Sequence, residues 1–304
     1  MNGSSARTQK PKVRTDHLHG WLDAGTVGQG PLPALTLSVV IPTLNQGDTI
    51  EDTLVSILAQ DCLDHLEIIV MDGGSTDGTM AVLERYRPWI HHLITGPDGG
   101  QSQAINRGLS LARGDILAWI NSDDYYLPGA LAAVLQRFGS DPALQFLVGA
   151  GDVVSLENTF LRHVPSLPMN TTTMQEWKLD RWVMQQSCFW RRELWQRVGG
   201  VDESLHLLMD YDLWFRFSKL TQAGRIDRTL AAMRYYPAAK TVRQRSKASE
   251  EMAYVYAKNG ALSDLRELLD SLGRERSRLE ARIHRYDSQL LVRLLKRLRL
   301  LPRD

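Results

Sequence analysis

Residues 114–131 read Gly-Asp-Ile-Leu-Ala-Trp-Ile-Asn-Ser-Asp-Asp-Tyr-Tyr-Leu-Pro-Gly-Ala-Leu. The apolar run Ile116–Ile120 reads as a strand, and it ends abruptly in the polar cluster Asn121-Ser122-Asp123-Asp124. Similar runs occur at Leu37–Ile41, Leu66–Met71, His92–Thr95 and Gln145–Val148, each separated from the next by an amphipathic stretch. That alternation predicts βαβ units and an α/β fold with a Rossmann-like, mostly parallel sheet flanked by helices. In such sheets ligands bind outside the carboxyl ends of the strands.

The stretch after the first run shows the helical logic. Asp48 and Glu51 have the spacing of a capping box, and Ile50, Leu54, Ile57 and Leu58 fall on one face. Gln101–Arg113 repeats it with Ala104, Ile105, Gly108, Leu109 and Ala112, up to Gly114. Past residue 150 come a Thr/Trp-rich segment at 170–182, an apolar run at Ser187–Trp190, a helix over Met209–Leu220 and a strand over Arg225–Tyr235. Three helices are predicted last, Lys247–Lys258, Ala261–Ser271 and Arg274–Leu300. The expected organisation is a flexible arm over 1–33, a main domain over 34–245 and a C-terminal helical extension over 246–304. The halves of the main domain divide at 125/126, a nucleotide-binding part and an acceptor-binding part.

At 304 residues, with 43% hydrophobic and 23% charged, the chain has an ordinary globular composition. A net charge of +1 denies it the basic field of a nonspecific nucleic-acid binder, and no nucleic-acid partner is expected. Residues 274–304 carry ten Arg and Lys against four Asp and Glu, so the rest of the chain is acidic. Cys62 and Cys188 form no disulfide framework or zinc pattern, which suits a reducing compartment. The start Met-Asn-Gly-Ser-Ser lacks the charged and apolar regions of a leader, and no apolar stretch approaches the roughly 20 residues that span a bilayer. The expected location is cytoplasmic.

Four strand ends carry polar clusters: Pro42-Thr43-Leu44-Asn45, Asp72-Gly73-Gly74-Ser75-Thr76-Asp77-Gly78, Asp98-Gly99-Gly100-Gln101 and Asn121-Ser122-Asp123-Asp124. Any one alone reads as turn chemistry. Four on one sheet edge read as a crevice. Carboxylates there suit a hard divalent cation, because Mg²⁺ takes one or two protein carboxylates and completes its shell with substrate phosphates. The chain has no Gly-x-x-x-x-Gly-Lys-Ser/Thr loop and no Gly-x-Gly-x-x-Gly after the first strand, which argues against a P-loop NTPase and a dinucleotide fold.

Taken in order, residues 39–46, 69–79, 100–108 and 114–131, then Phe189-Trp190-Arg191-Arg192, Gly199–Glu203 and Met209–Trp214, resemble family 2 inverting glycosyltransferases of the GT-A fold, of the bacterial polysaccharide-biosynthesis type. The resemblance covers about residues 36–241. It implies transfer of a sugar from a nucleotide-sugar, with a lean toward UDP, to a hydroxyl of a glycan or lipid-linked glycan, with Mg²⁺ or Mn²⁺ as cofactor. By position it places Pro42, Thr43, Asn45, Asp72, Asp98, Gln101, Asn121 and Ser122 around the nucleotide, Asp123 on the metal, and Asp210 as general base. Trp182, Gly200 and Trp214 are its candidates on the sugar and acceptor side. Two departures stand out: Asn121 occupies the first Asp of the family's Asp-x-Asp, and Tyr236 stands where many relatives have a metal-ligating His before a Lys-Thr pair.

Competing roles follow from the residues themselves. Asp210 also suits a helix N-cap, Asp212 has Arg216 at i+4 as an ion-pair partner, and Trp119, Trp182 and Trp214 suit a core as well as a sugar face. Arg191 and Arg192 suit either a phosphate or a solvated strand edge. A catalytically weak nucleotide-sugar-binding scaffold is the alternative that Asn121 and Tyr236 favour. A sugar nucleotidyltransferase is a further alternative, disfavoured because Pro42–Gln46 holds no basic residue. Leu290, Leu291, Leu294, Leu295, Leu298 and Leu301 share a helical face among basic residues, as in a peripheral membrane helix or a helix packed on a protein surface.

Overall fold

The structure, a computed structural model, describes residues 31–175, 182–237 and 245–297. Strand β1 (Leu37–Thr43) pairs in parallel with β2 (Leu66–Asp72) and β4 (Ile116–Trp119), and β2 pairs in parallel with β3 (His92–Thr95). Every residue of β1 and β4 is buried, as parallel strands covered by helices on both faces must be. The sheet then changes sense. Strand β8 (Cys188–Arg191) runs antiparallel to both β4 and β6 (Phe146–Val154). Strand β9 (Gly224–Arg234) is parallel to β6, and the two-residue β5 (Tyr125–Tyr126) is antiparallel to β9. Among the described residues the order is β3-β2-β1-β4-β8-β6-β9-β5, with β7 (Phe160–Val164) paired to the second half of β6. The mostly parallel sheet that the sequence predicts is thus parallel throughout its first half, and its antiparallel pairings fall in the second.

The helices are α1 (Ile50–Leu58), α2 (Thr79–Tyr86), α3 (Gln101–Leu111), α4 (Ala130–Ser140), α5 (Thr171–Gln175), α6 (Arg192–Val198), α7 (Met209–Ser218), α8 (Arg245–Asn259) and α9 (Leu262–Arg297). The apolar face read for α1 is buried in full: Ile50, Leu54, Ile57 and Leu58 are all within 1% of complete burial. Its capping box does not form. Thr49, not Asp48, is the N-cap, and its hydroxyl is engaged by Gln46 and by the backbone of Ser122 rather than by the helix. The last two predicted helices are one, running unbroken through Gly273. A single interior glycine costs a helix only about 0.5–1 kcal/mol relative to alanine, too little to end one without a cap or proline.

Residues 1–30 of the predicted arm lie outside the described residues, as do Leu298 and Leu301. The chain divides into two compact units at Glu251/Met252. Both cysteines are reduced and sealed in the interior of the first unit: Cys62, after α1, is 1% exposed and Cys188 is fully buried. No described helix is long and apolar enough to cross a membrane.

One glycine shows how closely helix and sheet approach. A Cβ at Gly108 in α3 would lie 2.5 Å from Val40 Cγ1 and 3.0 Å from Met71 Cγ, side chains of β1 and β2. Helix propensity alone favours Gly108→Ala by about 1 kcal/mol. Overpacking costs about 1–3 kcal/mol and outweighs it. The variant is expected to lose up to about 2 kcal/mol in urea denaturation; a stabilised variant contradicts the close approach.

Candidate active site

Strands β1, β2 and β4 deliver their polar ends to one edge, and short hydrogen bonds lace those ends together. Thr43 O accepts from Gly73 N at 2.9 Å, Asn45 N donates to Ser75 Oγ at 2.8 Å, and Thr76 N donates to Asn45 Oδ1 at 2.8 Å. Asn45 holds a left-handed backbone (φ 53°), a conformation asparagine tolerates better than most residues. Asp72 is turned inward on its own loop: its carboxylate accepts from the amides of Gly74 and Ser75 and from the Ser75 hydroxyl. The Asp98 carboxylate lies over Gly73 and accepts from Gly100 N at 2.9 Å. Thr43 Oγ1 is buried and has no hydrogen-bond partner among the described residues.

Gln101, at the start of α3, donates to Asn121 Oδ1 at 2.8 Å, and Asn121 Nδ2 donates to Asp124 Oδ2 at 3.3 Å. Asp124 is fully enclosed and receives Arg234 N at 2.9 Å and Gln186 Nε2 at 2.5 Å. Burial, with the charge of Asp123 beside it, pushes its carboxyl well above the usual range. Burial also raises the Asp123 carboxyl, against the opposing effects of the Tyr236 hydroxyl and Arg234. Tyr236 OH donates to Asp123 Oδ2 at 2.8 Å, so the position flagged in the sequence does face Asp123, carrying a phenol.

The Asn121–Leu127 turn hangs on two features that the sequence reading missed. One is a polar stripe on α1 and its flanks: Thr49 donates to Ser122 O, Thr53 to Asp124 O and Gln60 to Leu127 O, while Ser56 receives Tyr126 N. The other is Arg234 at the end of β9, 3% exposed. Its guanidinium pairs with Asp52 of α1, donates to Asp123 O at 3.0 Å and Asn158 Oδ1 at 2.9 Å, and lies 5.1 Å over the Tyr125 ring.

Asp210 is the second residue of α7, so the N-cap alternative fails; Leu208 holds that place. Its Oδ1 accepts from Tyr211 N at 2.8 Å, and among the described residues Oδ2 has no hydrogen-bond partner. Desolvation pushes its carboxyl up to about 6, with backbone hydrogen bonds opposing. The segment Gln185–Cys188 links the two carboxylate centres: Gln186 bonds Asp124, and the Cys188 thiol is raised by burial and by the charge of Asp210.

Other candidates have structural work. Trp214 is 1% exposed, stacked on Trp119 (5.7 Å, 12°) and on Phe146 (5.0 Å, 24°), so it anchors α7 to the sheet and has no face for a sugar. Trp119 lies in the same cluster. Gly200 is buried at φ +89°, and a Cβ there would lie 2.6 Å from Asn106 Oδ1; its carbonyl accepts from Arg216 Nη2 at 2.6 Å, which makes it a fold position. Asp212 pairs with Arg216 at 2.9 Å as its spacing predicts. Arg191 spends its guanidinium on the carbonyls of Leu144 and Phe138. Trp182 is half-buried, with Arg162 5.0 Å over its ring. Lys240 and Thr241 lie outside the described residues.

Among the described residues no three His, Cys, Asp or Glu converge as a metal cage. The Asp123 carboxylate, which accepts the Tyr236 hydroxyl on Oδ2, fits an ion that takes one protein carboxylate and draws its remaining ligands from a substrate, a mode Mg²⁺ uses.

An α/β sheet of this order, with its chemistry at one edge and C-terminal helices beyond, is the fold of GT-A glycosyltransferases, and the protein is a glycosyltransferase. Residues 38–199 match the model of glycosyl transferase family 2, and the chain belongs to that family. A PGL/p-HBAD biosynthesis glycosyltransferase of Mycobacterium bovis (strain BCG / Pasteur 1173P2) is 29% identical over 189 residues, covering 61% of this chain and 70% of the relative. Staphylococcus aureus TarS 1-349, solved with UDP-GlcNAc, has the same fold at 18% identity and a TM-score of 0.61, over 77% of this chain and 72% of that one. The longer TarS chain is spanned only to 39%. The mannosyltransferase PcManGT of Pyrobaculum calidifontis, solved with GDP-Man and Mn²⁺, matches at 18% identity and a TM-score of 0.57 over 91% of this chain and 86% of that one.

Removing one member of a buried ion pair strands the other. Arg234→Met is expected to cost about 3–5 kcal/mol in urea denaturation, and the double variant with Asp52→Leu less than the two singles summed. Strict additivity contradicts the coupling of Arg234 to Asp52.

Proposed function

We propose that the protein moves a sugar from a nucleotide-sugar, with a uridine diphosphate leaving group, to a hydroxyl of a glycan or lipid-linked glycan, inverting the anomeric carbon. The observation that carries this reading is Asp210, a carboxylate raised to about 6 with one oxygen unengaged among the described residues. Such a group is ionised at neutral pH and more basic than an ordinary carboxylate, as a general base should be. The acceptor oxygen attacks the anomeric carbon opposite the diphosphate, the bond to the diphosphate breaks, and Asp210 takes the hydroxyl proton. No covalent enzyme intermediate is needed. The UDP-GlcNAc in the TarS structure supports uridine as the base.

On the donor side, Pro42, Thr43, Asn45, Asp98, Gln101, Asn121 and Ser122 line the nucleotide crevice, and Asp72 shapes its floor through the Gly74 and Ser75 amides. Asp123 would hold Mg²⁺ or Mn²⁺, with Tyr236 beside it, and the ion would offset charge on the departing diphosphate. The Mn²⁺ in the PcManGT structure supports a divalent ion. Residues 34–125 then serve the nucleotide and 126–245 the acceptor, with Trp182 as the remaining sugar-face candidate.

Asp210→Asn is expected to lower turnover by roughly 10²–10⁴-fold, and Asp123→Ala to abolish it, in a nucleoside-diphosphate release assay with Mn²⁺. In the wild type, kcat/KM falls on the acid side with an apparent pKa of about 6, reaching about a tenth of its plateau at pH 5. A raised pKa in the folded state makes ionised Asp210 a cost to folding above that pKa. Asp210→Asn should therefore gain about 1–3 kcal/mol of stability at pH 8 while losing activity. Full turnover in both variants refutes the site assignment.

The basic segment from residue 274 onward would bring the enzyme to an anionic membrane surface. Flotation with anionic liposomes should be lost on deleting residues 274–304; equal flotation of the deleted and full chains refutes membrane contact.

A further inference from the structure

We propose that Glu251 is a positioning residue for the reaction: its carboxylate clamps the loop that presents Asp210. The inference rests on Asp210 being the general base. Glu251 lies in α8, outside every motif that identifies the family, and is 7% exposed. It accepts three successive backbone amides, His206 N at 3.0 Å, Leu207 N at 2.8 Å and Leu208 N at 3.0 Å. Leu208 is the N-cap of α7 and Asp210 stands two residues further on. Successive amides pointing at one locus form an anion-binding concavity, and here the anion is a side chain of the protein itself.

The clamp does two things. It fixes the direction in which the chain enters α7, which has no side-chain cap of its own. It also keeps a carboxylate near the one that must take a proton, and that like charge adds to desolvation in disfavouring ionised Asp210. Among the described residues, the titratable groups that act on or respond to Asp210 are Glu251 from α8 and Cys188 from β8; Asp212, on the same helix, pairs with Arg216.

Glu251→Gln keeps a carbonyl acceptor and removes the charge. The test titrates the Asp210 carboxyl by ¹³C NMR in the full chain labelled at aspartate, in the wild type and Glu251→Gln, with Asp210→Asn identifying the resonance. The Asp210 titration is expected to move down by about half a pH unit, and the acid limb of kcat/KM to move with it. Glu251→Ala, which removes every acceptor, should lower kcat at least tenfold with the donor KM within about twofold, and Glu251→Asp should recover part of it. An unmoved Asp210 titration in Glu251→Gln together with unchanged kcat in Glu251→Ala overturns the role of Glu251 and leaves the base assignment intact. Full turnover of Asp210→Asn overturns both.

Discussion

An arginine buried to 97% of its surface must find a partner for each polar edge of its guanidinium or unfold its surroundings, and Arg234 finds them in three different parts of the chain. Asp52 comes from α1, Asp123 and Tyr125 from the turn after β4, and Asn158 from the turn between β6 and β7. None of these segments is held to the others by a sheet ladder alone. The sheet supplies strand ends in register; the arginine decides how the Asp123–Asp124 turn sits on them. Because β9 ends in this arginine and Tyr236, facing Asp123, follows two residues later, one short segment sets the position and the immediate neighbour of the same carboxylate.

Helix α1 illustrates why part of this site escaped a reading of periodicity. Ile50, Leu54, Ile57 and Leu58 announced the face toward the sheet, and they lie there. Thr49, Thr53, Ser56 and Gln60 fall at helical spacing too, yet hydroxyls and amides on a helix read as a solvated face. They are buried because the turn beside them has backbone groups with no ladder to satisfy them. The helix therefore has two interior faces, one apolar and one made of hydrogen-bonding groups. A regular polar stripe between β1 and its partner strand was the visible signal, and its meaning depended on a neighbour 70 residues away.

Much else was legible. The four strand ends, the pairing of Asp212 with Arg216 and the position of Tyr236 followed from spacing or from ordered motifs. What misled was local chemistry overruled by tertiary demand. The Asp48/Glu51 box yields to Thr49 because its hydroxyl is wanted by Ser122. Gly200 and Trp214 sit within family motifs, but one serves a close backbone approach and the other an aromatic stack. The antiparallel insertion of β8 between β4 and β6 was beyond pattern reading, since a four-residue apolar run carries no direction.

The two sealed thiols add a property of another kind. Cys62 lies in the core cluster with α1 and Cys188 on β8, the strand beside Asp210, and neither meets solvent in the folded chain. A thiol reagent can reach either one only when its own part of the molecule opens. The protein thus carries two chemical clocks, one timing the opening of the core packed against α1 and the other that of the core around β8, without any label having been engineered.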